Sequence, residues 1–268
     1  MKQIPNLFTL LNLIFGCIAI VMILQTGETI VLLDNGGVTE LNLPEKIWEA
    51  SLFLFGAAVV DFLDGFLARA LKASSEMGKQ LDSLSDVVSF GVAPGMILYQ
   101  LLRLSYAQEP YGLDVTVWAL LPAFIFSGAA AYRLAKFNIS TNQTTSFRGV
   151  PTPAAGLLVA SFPLIIRFTK FQAVTPVLIN TWFLYAVILV MSYLMLSNRP
   201  FMALKFKDYS FQNNSVKYVL LILAVICIII FKWLAVPLIF LLYVIFSLFT
   251  KEPVSTGYQN KETADLTV

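Results

Sequence analysis

The sequence contains no histidine, only two cysteines and few charged residues. The missing histidine excludes imidazole as a proton-transfer group and as a ligand of zinc or haem. Cys17 and Cys227 lie far apart in apolar segments, which indicates small core residues and no disulfide framework. The net charge of +2 is too small to indicate nucleic acid as a partner. Acid–base chemistry must therefore come from Asp, Glu, Lys, Tyr or Cys.

Apolar residues make up 58% of the chain and charged residues 13%, with a mean hydropathy of +0.78. This composition predicts an all-α fold, a polytopic transmembrane helical bundle. The apolar runs predict about eight spans, at residues 7–25, 48–70, 82–105, 116–138, 153–169, 181–197, 217–232 and 234–249.

The spans divide the chain into three parts. We expect the first six spans to form a helical core within residues 1–200 and the last two to form a C-terminal hairpin within residues 201–249. Lys232, Trp233 and Pro237 interrupt that last apolar run, which favours a hairpin but leaves one long helix open. Residues 250–268 are polar and predict a disordered cytoplasmic tail.

The distribution of Lys and Arg among the loops predicts a cytoplasmic N-terminus. With that orientation, the loop after the second span is inside and basic, whereas the loop before it is outside and acidic. Arg167 and Lys170 are the local exception, because they fall outside.

Four aspartates stand in these hydrophobic surroundings, at Asp61, Asp64, Asp82 and Asp86. The spacings i,i+3 and i,i+4 put each pair on one helix face. Carboxylates at membrane depth cost several kcal/mol and repel each other, so they need a compensating partner. A hard divalent cation such as Mg²⁺ or Mn²⁺ takes oxygen ligands and is often shared with a substrate phosphate. The aspartates therefore predict one metal site, at the cytoplasmic ends of the second and third spans.

Small residues and one arginine accompany the aspartates. Gly65, Ala68 and Gly78 would let a bulky group approach the helix backbones, and Arg69 supplies a planar cation suited to phosphate.

The run Asp61-x2-Asp64-Gly65-x2-Ala68-Arg69-x8-Gly78-x3-Asp82-x3-Asp86 resembles the signature of the CDP-alcohol phosphatidyltransferase family, with all eight signature positions present. Four further segments strengthen the likeness, and three of them resemble the phosphatidylserine synthase branch in bacteria. The first is the N-terminal Pro5-Asn6-x2-Thr9-x2-Asn12; the three branch-like segments are 89–95, Arg133-Leu134-Ala135-Lys136-Phe137-Asn138 and 147–154.

The resemblance implies that CDP-diacylglycerol and L-serine give phosphatidylserine and CMP in the bacterial inner membrane, with the active site facing the cytoplasm. It implies that Asp61, Asp64 and Asp82 bind two Mg²⁺ or Mn²⁺ ions. Asp86 is counted with these residues in the metal site and is also the expected general base. The residues implied for the CDP site are Asn6, Thr9, Gly65, Ala68, Arg69 and Gly78. It also implies a homodimer.

Several interpretations stay open at this stage. Arg133 and Arg148 are either ordinary positive-inside charge or an anion pocket for the lipid phosphate or the serine carboxylate. Asn6, Thr9 and Asn12 either make hydrogen bonds between helices or contact the nucleotide.

The acceptor alcohol could instead be glycerol 3-phosphate or inositol phosphate. An intramembrane prenyltransferase would need a second Asp-rich motif, and a cation-coupled transporter would show helices broken near mid-membrane.

Overall fold

The structure is a computed structural model that describes residues 4–25, 28–34, 37–43, 46–71, 73, 75–109, 115–139, 147–171, 173–201 and 211–249. Within these ranges the protein is a helical membrane bundle, as the composition predicts. The predicted tail at 250–268 lies outside the described residues.

The helices follow the apolar runs closely. They are α1 Ile4–Leu24, α2 Ile47–Ala70, α3 Glu76–Asp86, α4 Ala93–Tyr106, α5 Val117–Leu120, α6 Ala123–Ile139, α7 Thr152–Phe168, α8 Val174–Leu178, α9 Thr181–Leu196, α10 Phe211–Phe231 and α11 Ala235–Phe249. A π-helical segment, Val87–Val92, joins α3 to α4 without a break. Four helical runs are long and apolar enough to cross a membrane, and α7 and α9 are shorter apolar helices.

Two short antiparallel strand pairs accompany the bundle. In the loop between α1 and α2, β1 Glu28–Asp34 pairs with β2 Gly37–Leu43. After α6 and α9, β3 Phe147–Arg148 pairs with β4 Pro200–Phe201. The apolar runs do not predict these two strand pairs, because both pairs lie in connections between the spans.

The last apolar run forms two helices. A short 3₁₀ turn, Lys232–Leu234, separates α10 from α11, and Lys232 has a positive φ of 51°. The two helices contact each other, and α11 also packs on α7 and β4. The hairpin interpretation therefore describes this region, and the single long helix is excluded.

The N-terminal helix is central to the bundle, since α1 packs on α2, α3, the π-helical segment and α4. Small residues permit this close packing. A Cβ added to Gly16 would collide with Ser89, and one added to Gly156 of α7 would lie 2.9 Å from the carbonyl oxygen of Phe90. The π-helical segment is thus held from two sides directly after Asp86.

Candidate active site

The four predicted aspartates come together where α2 and α3 meet. Asp61, Asp64 and Asp82 each offer a carboxylate oxygen within 4.8 Å of the others. Asp86 lies one turn after Asp82 on α3, and the two side chains line the same cavity. Asp64 and Asp86 are buried, and Asp61 and Asp82 are half-buried.

Two side chains of α1 bond directly to this cluster. The buried Thr9 hydroxyl donates to Asp64 Oδ2 at 2.8 Å, and the Asn12 amide donates to Asp86 Oδ1 at 3.3 Å. Thr9 and Asn12 therefore make the interhelical hydrogen bonds that their spacing allows. In this structure the Thr9 hydroxyl donates to a carboxylate, and its contact with CDP stays a prediction.

The donor set fits a divalent cation. Three carboxylates this close repel each other strongly unless a cation lies between them. All the available atoms are hard oxygens, which Mg²⁺ and Mn²⁺ prefer, and the His and Cys ligands typical of zinc are absent from the cluster. Asn12 Oδ1 is buried beside the cluster without a hydrogen-bond partner among the described residues.

The residues expected at the CDP site lie on α1, α2 and α3, the helices that carry or contact the carboxylate cluster. A Cβ at Gly65 would meet no atom within 4 Å, so this helix face is open. Ala68 is half-buried and Arg69 is exposed in the last turn of α2. At Gly78 a Cβ would lie 3.0 Å from Asn6 Oδ1, so glycine lets the N-terminal helix approach α3.

A cavity of about 190 Å³ opens beside Asp86. Its lining combines two carboxylates with one arginine and several apolar side chains: Asp82, Ser83, Asp86, Arg133, Leu134, Phe137, Pro151 and Pro153. Arg133 donates from Nη1 to the Thr152 hydroxyl at 3.1 Å, and its buried Nε has no partner among the described residues. Arg148 lies in β3, and its side chain is outside the described part of the structure.

The sequence pattern does not reveal the polar contacts that join α6 to α3 and to α7. Ser83 bonds to Asn138, and Thr152 of α7 bonds to Arg133. Asn138 closes a recognised motif, but nothing in its spacing reveals a partner 55 residues away.

The comparison with protein families agrees with this geometry. The model of the CDP-alcohol phosphatidyltransferase family matches residues 2–189. The chain belongs to this family. The match ends within α9, so α10 and α11 lie outside it.

Curated relatives carry one recurrent name, CDP-diacylglycerol–serine O-phosphatidyltransferase. The protein from Bacillus subtilis is 35% identical over 169 residues, covering 63% of this chain and 77% of the relative. The Helicobacter pylori J99 protein is 40% identical over 112 residues, covering 41% and 44%. The Methanocaldococcus jannaschii protein is 35% identical over 127 residues, covering 47% and 56%. Family membership removes the support for the prenyltransferase and transporter interpretations.

Proposed function

We propose that this membrane enzyme transfers the phosphatidyl group of CDP-diacylglycerol to the hydroxyl of L-serine, giving phosphatidylserine and CMP. The observation that carries the proposal is the carboxylate cluster of Asp61, Asp64 and Asp82, with buried Asp86 next to a cavity that also contains Arg133. The names of the relatives favour serine over glycerol 3-phosphate or inositol phosphate as the acceptor.

Asp61, Asp64 and Asp82 would hold two divalent cations, Mg²⁺ or Mn²⁺, with Asp61 and Asp82 as ligands common to both. Bound cations would neutralise the diphosphate, polarise its phosphoryl group and stabilise the departing CMP. The nucleotide side is lined by Asn6, Thr9, Gly65, Ala68, Arg69 and Gly78. The open face at Gly65 supports this, because it leaves room for a group to lie against α2.

Asp86 acts as the general base. It accepts the proton of the serine hydroxyl as the serine oxygen bonds to the phosphorus that carries diacylglycerol. The bond from that phosphorus to the bridging oxygen breaks, and CMP leaves with the electron pair. The Asn12 amide supports this role by fixing one carboxylate oxygen, which aims the other.

Arg133 binds the serine carboxylate in the cavity beside Asp86. Its buried Nε has no partner among the described residues, so the guanidinium retains donor capacity for an oxyanion. Arg148 is a second candidate for this pocket or for the lipid phosphate.

Three broader features belong to the same proposal. Residues 1–200 form the catalytic domain and residues 201–249 a hairpin appended to it, because every site residue precedes β4 while α11 packs on α7 from outside. The excess of Lys and Arg in the loops on the predicted cytoplasmic side supports an active site that faces the cytoplasm from the bacterial inner membrane. The homodimer stays a prediction from the family.

The test is a transfer assay with the purified protein in detergent micelles. CDP-diacylglycerol, Mn²⁺ or Mg²⁺ and radiolabelled L-serine should give labelled lipid and equimolar CMP. Turnover with glycerol 3-phosphate and none with serine would reject the acceptor while keeping the family chemistry.

A further inference from the structure

The helix α6 packs along the helix formed by α3, the π-helical segment and α4, and hydrogen bonds join the two helices at two places. At the deeper place, the Ser127 hydroxyl donates to the Gly91 carbonyl oxygen at 2.9 Å, and a Cβ on Gly91 would lie 3.1 Å from Ala130. Small residues let the two helices pack tightly there.

The second place is a polar cluster at the ends of the same helices. The Asn138 amide donates to Ser83 Oγ at 2.8 Å, and the Ser83 hydroxyl lies 3.1 Å from Asn138 Oδ1. The Lys79 ammonium donates to the Asn138 carbonyl oxygen at 3.2 Å, where a cation suits the C-terminal end of a helix. Gln80 Oε1 accepts a longer bond from the Asn138 amide at 3.4 Å. We call these four residues the latch.

The cavity lies between the two contacts. Asp82, Ser83 and Asp86 line it from α3, and Arg133, Leu134 and Phe137 line it from α6. Ser83 and Gly91 are eight residues apart, about 12 Å along a helix. The distance between the carboxylates and the guanidinium therefore depends on both contacts. The deeper contact is close-packed backbone, whereas the latch consists of side-chain hydrogen bonds.

We propose that Asn138 is a positioning residue that sets the width of the acceptor cavity and thereby limits which hydroxy amino acid the enzyme accepts. The inference rests on the proposed function, since it takes the cavity between Asp86 and Arg133 as the acceptor pocket. Asn138 acts through Ser83 and α6 and does not line the cavity itself.

The test measures acceptor discrimination with the full-length enzyme in Asn138→Ala and Ser83→Ala variants. L-Homoserine has one more methylene than L-serine, and a pocket that selects by size typically distinguishes such a pair by about 10-fold or more. Each variant should raise the homoserine-to-serine ratio of kcat/KM at least about threefold, within the energy that one methylene supplies. KM for serine should rise, while KM for CDP-diacylglycerol should stay unchanged. Asn180→Ala is the matched control, because Asn180 caps α9 and lies away from the cavity.

The double variant tests whether Asn138 and Ser83 act together, measured by the same homoserine-to-serine ratio of kcat/KM. If both residues act through one latch, the Asn138→Ala/Ser83→Ala enzyme should discriminate no worse than the single variants. Unchanged ratios in variants that still bind CDP-diacylglycerol, or independent additive effects, would overturn the inference. Loss of CDP-diacylglycerol binding in both single variants would also overturn it, because the latch would then be structural. A wild-type enzyme that never uses serine would instead reject the proposed function.

Discussion

Removing the Thr9 hydroxyl tests how α1 contributes to the carboxylate cluster. Thr9→Val keeps the β-branched shape and the helix rotamer but deletes the donor to Asp64 Oδ2. The hydroxyl has one proton and two acceptors in reach, Asp64 at 2.8 Å and the Pro5 carbonyl at 3.1 Å. The carboxylate is charged and closer, so it receives the stronger bond.

The expected magnitude follows from burial. Thr9 is 3% exposed, so water cannot replace the lost donor. A hydrogen bond to a charged group contributes about 1.5–3 kcal/mol, which corresponds to roughly 10- to 150-fold in affinity. Loss of a group that orients a metal ligand typically weakens metal binding by about 10- to 100-fold. We therefore expect the Mn²⁺ concentration for half-maximal activity to rise by at least about tenfold.

The assay is a Mn²⁺ titration of activity, with direct metal binding measured by calorimetry. Activity at saturating Mn²⁺ should recover most of the wild-type rate, and Thr9→Ser should behave like wild type. Thr181→Val is the matched control: its buried hydroxyl pairs with Ser105 in another part of the bundle. Unchanged Mn²⁺ affinity together with weaker CDP-diacylglycerol binding would refute the reasoning and return Thr9 to the nucleotide site.

Four further substitutions separate the remaining roles. Asp86→Asn should retain metal and CDP-diacylglycerol binding but lower kcat by about 10²- to 10⁴-fold, and loss of metal binding would instead make Asp86 a ligand. Arg133→Gln should raise KM for serine at least about tenfold, because it removes a charged hydrogen bond to the serine carboxylate. KM for CDP-diacylglycerol should not change, and equal changes in both KM values would contradict the assignment of Arg133 to the serine pocket. Gly65→Ala faces open space and should keep or raise Tm, since Ala favours a helix over Gly by roughly 0.5–1 kcal/mol, while CDP-diacylglycerol binding weakens. Gly156→Ala should lower Tm in the same thermal scan, because its Cβ would press on Phe90.

The helices and the carboxylate cluster are predictable from the sequence because both leave a local pattern. Apolar runs bounded by polar residues place α2 and α7 within a residue or so of the predicted spans. The aspartates sit at i,i+3 and i,i+4, which limits them to one helix face each. Bringing the two faces together still required the family signature, since spacing alone does not orient one helix against another.

The latch and the Arg133–Thr152 contact are not predictable in the same way. Asn138 and Ser83 are 55 residues apart, and each is an ordinary polar residue near a helix end. Such pairs depend on the rotation and depth of two packed helices, which small shifts of the bundle would change. The β1–β2 pair is invisible for another reason: it lies in a loop between spans, outside the apolar runs that the prediction follows.

The hydrogen bonds that join α1 to α2, α3 and the π-helical segment explain why the first helix is part of the site. Ser85 donates to the Thr9 carbonyl oxygen and Ser89 to the Asn12 carbonyl oxygen, both at 3.0 Å. The same two residues of α1 donate their side chains to Asp64 and Asp86. One face of α1 therefore accepts hydrogen bonds through its backbone carbonyls and donates hydrogen bonds through its side chains. These bonds fix the depth and rotation of α1 in the bundle. A shift of α1 by one turn would break all four contacts and leave Asp64 and Asp86 without their donors from α1.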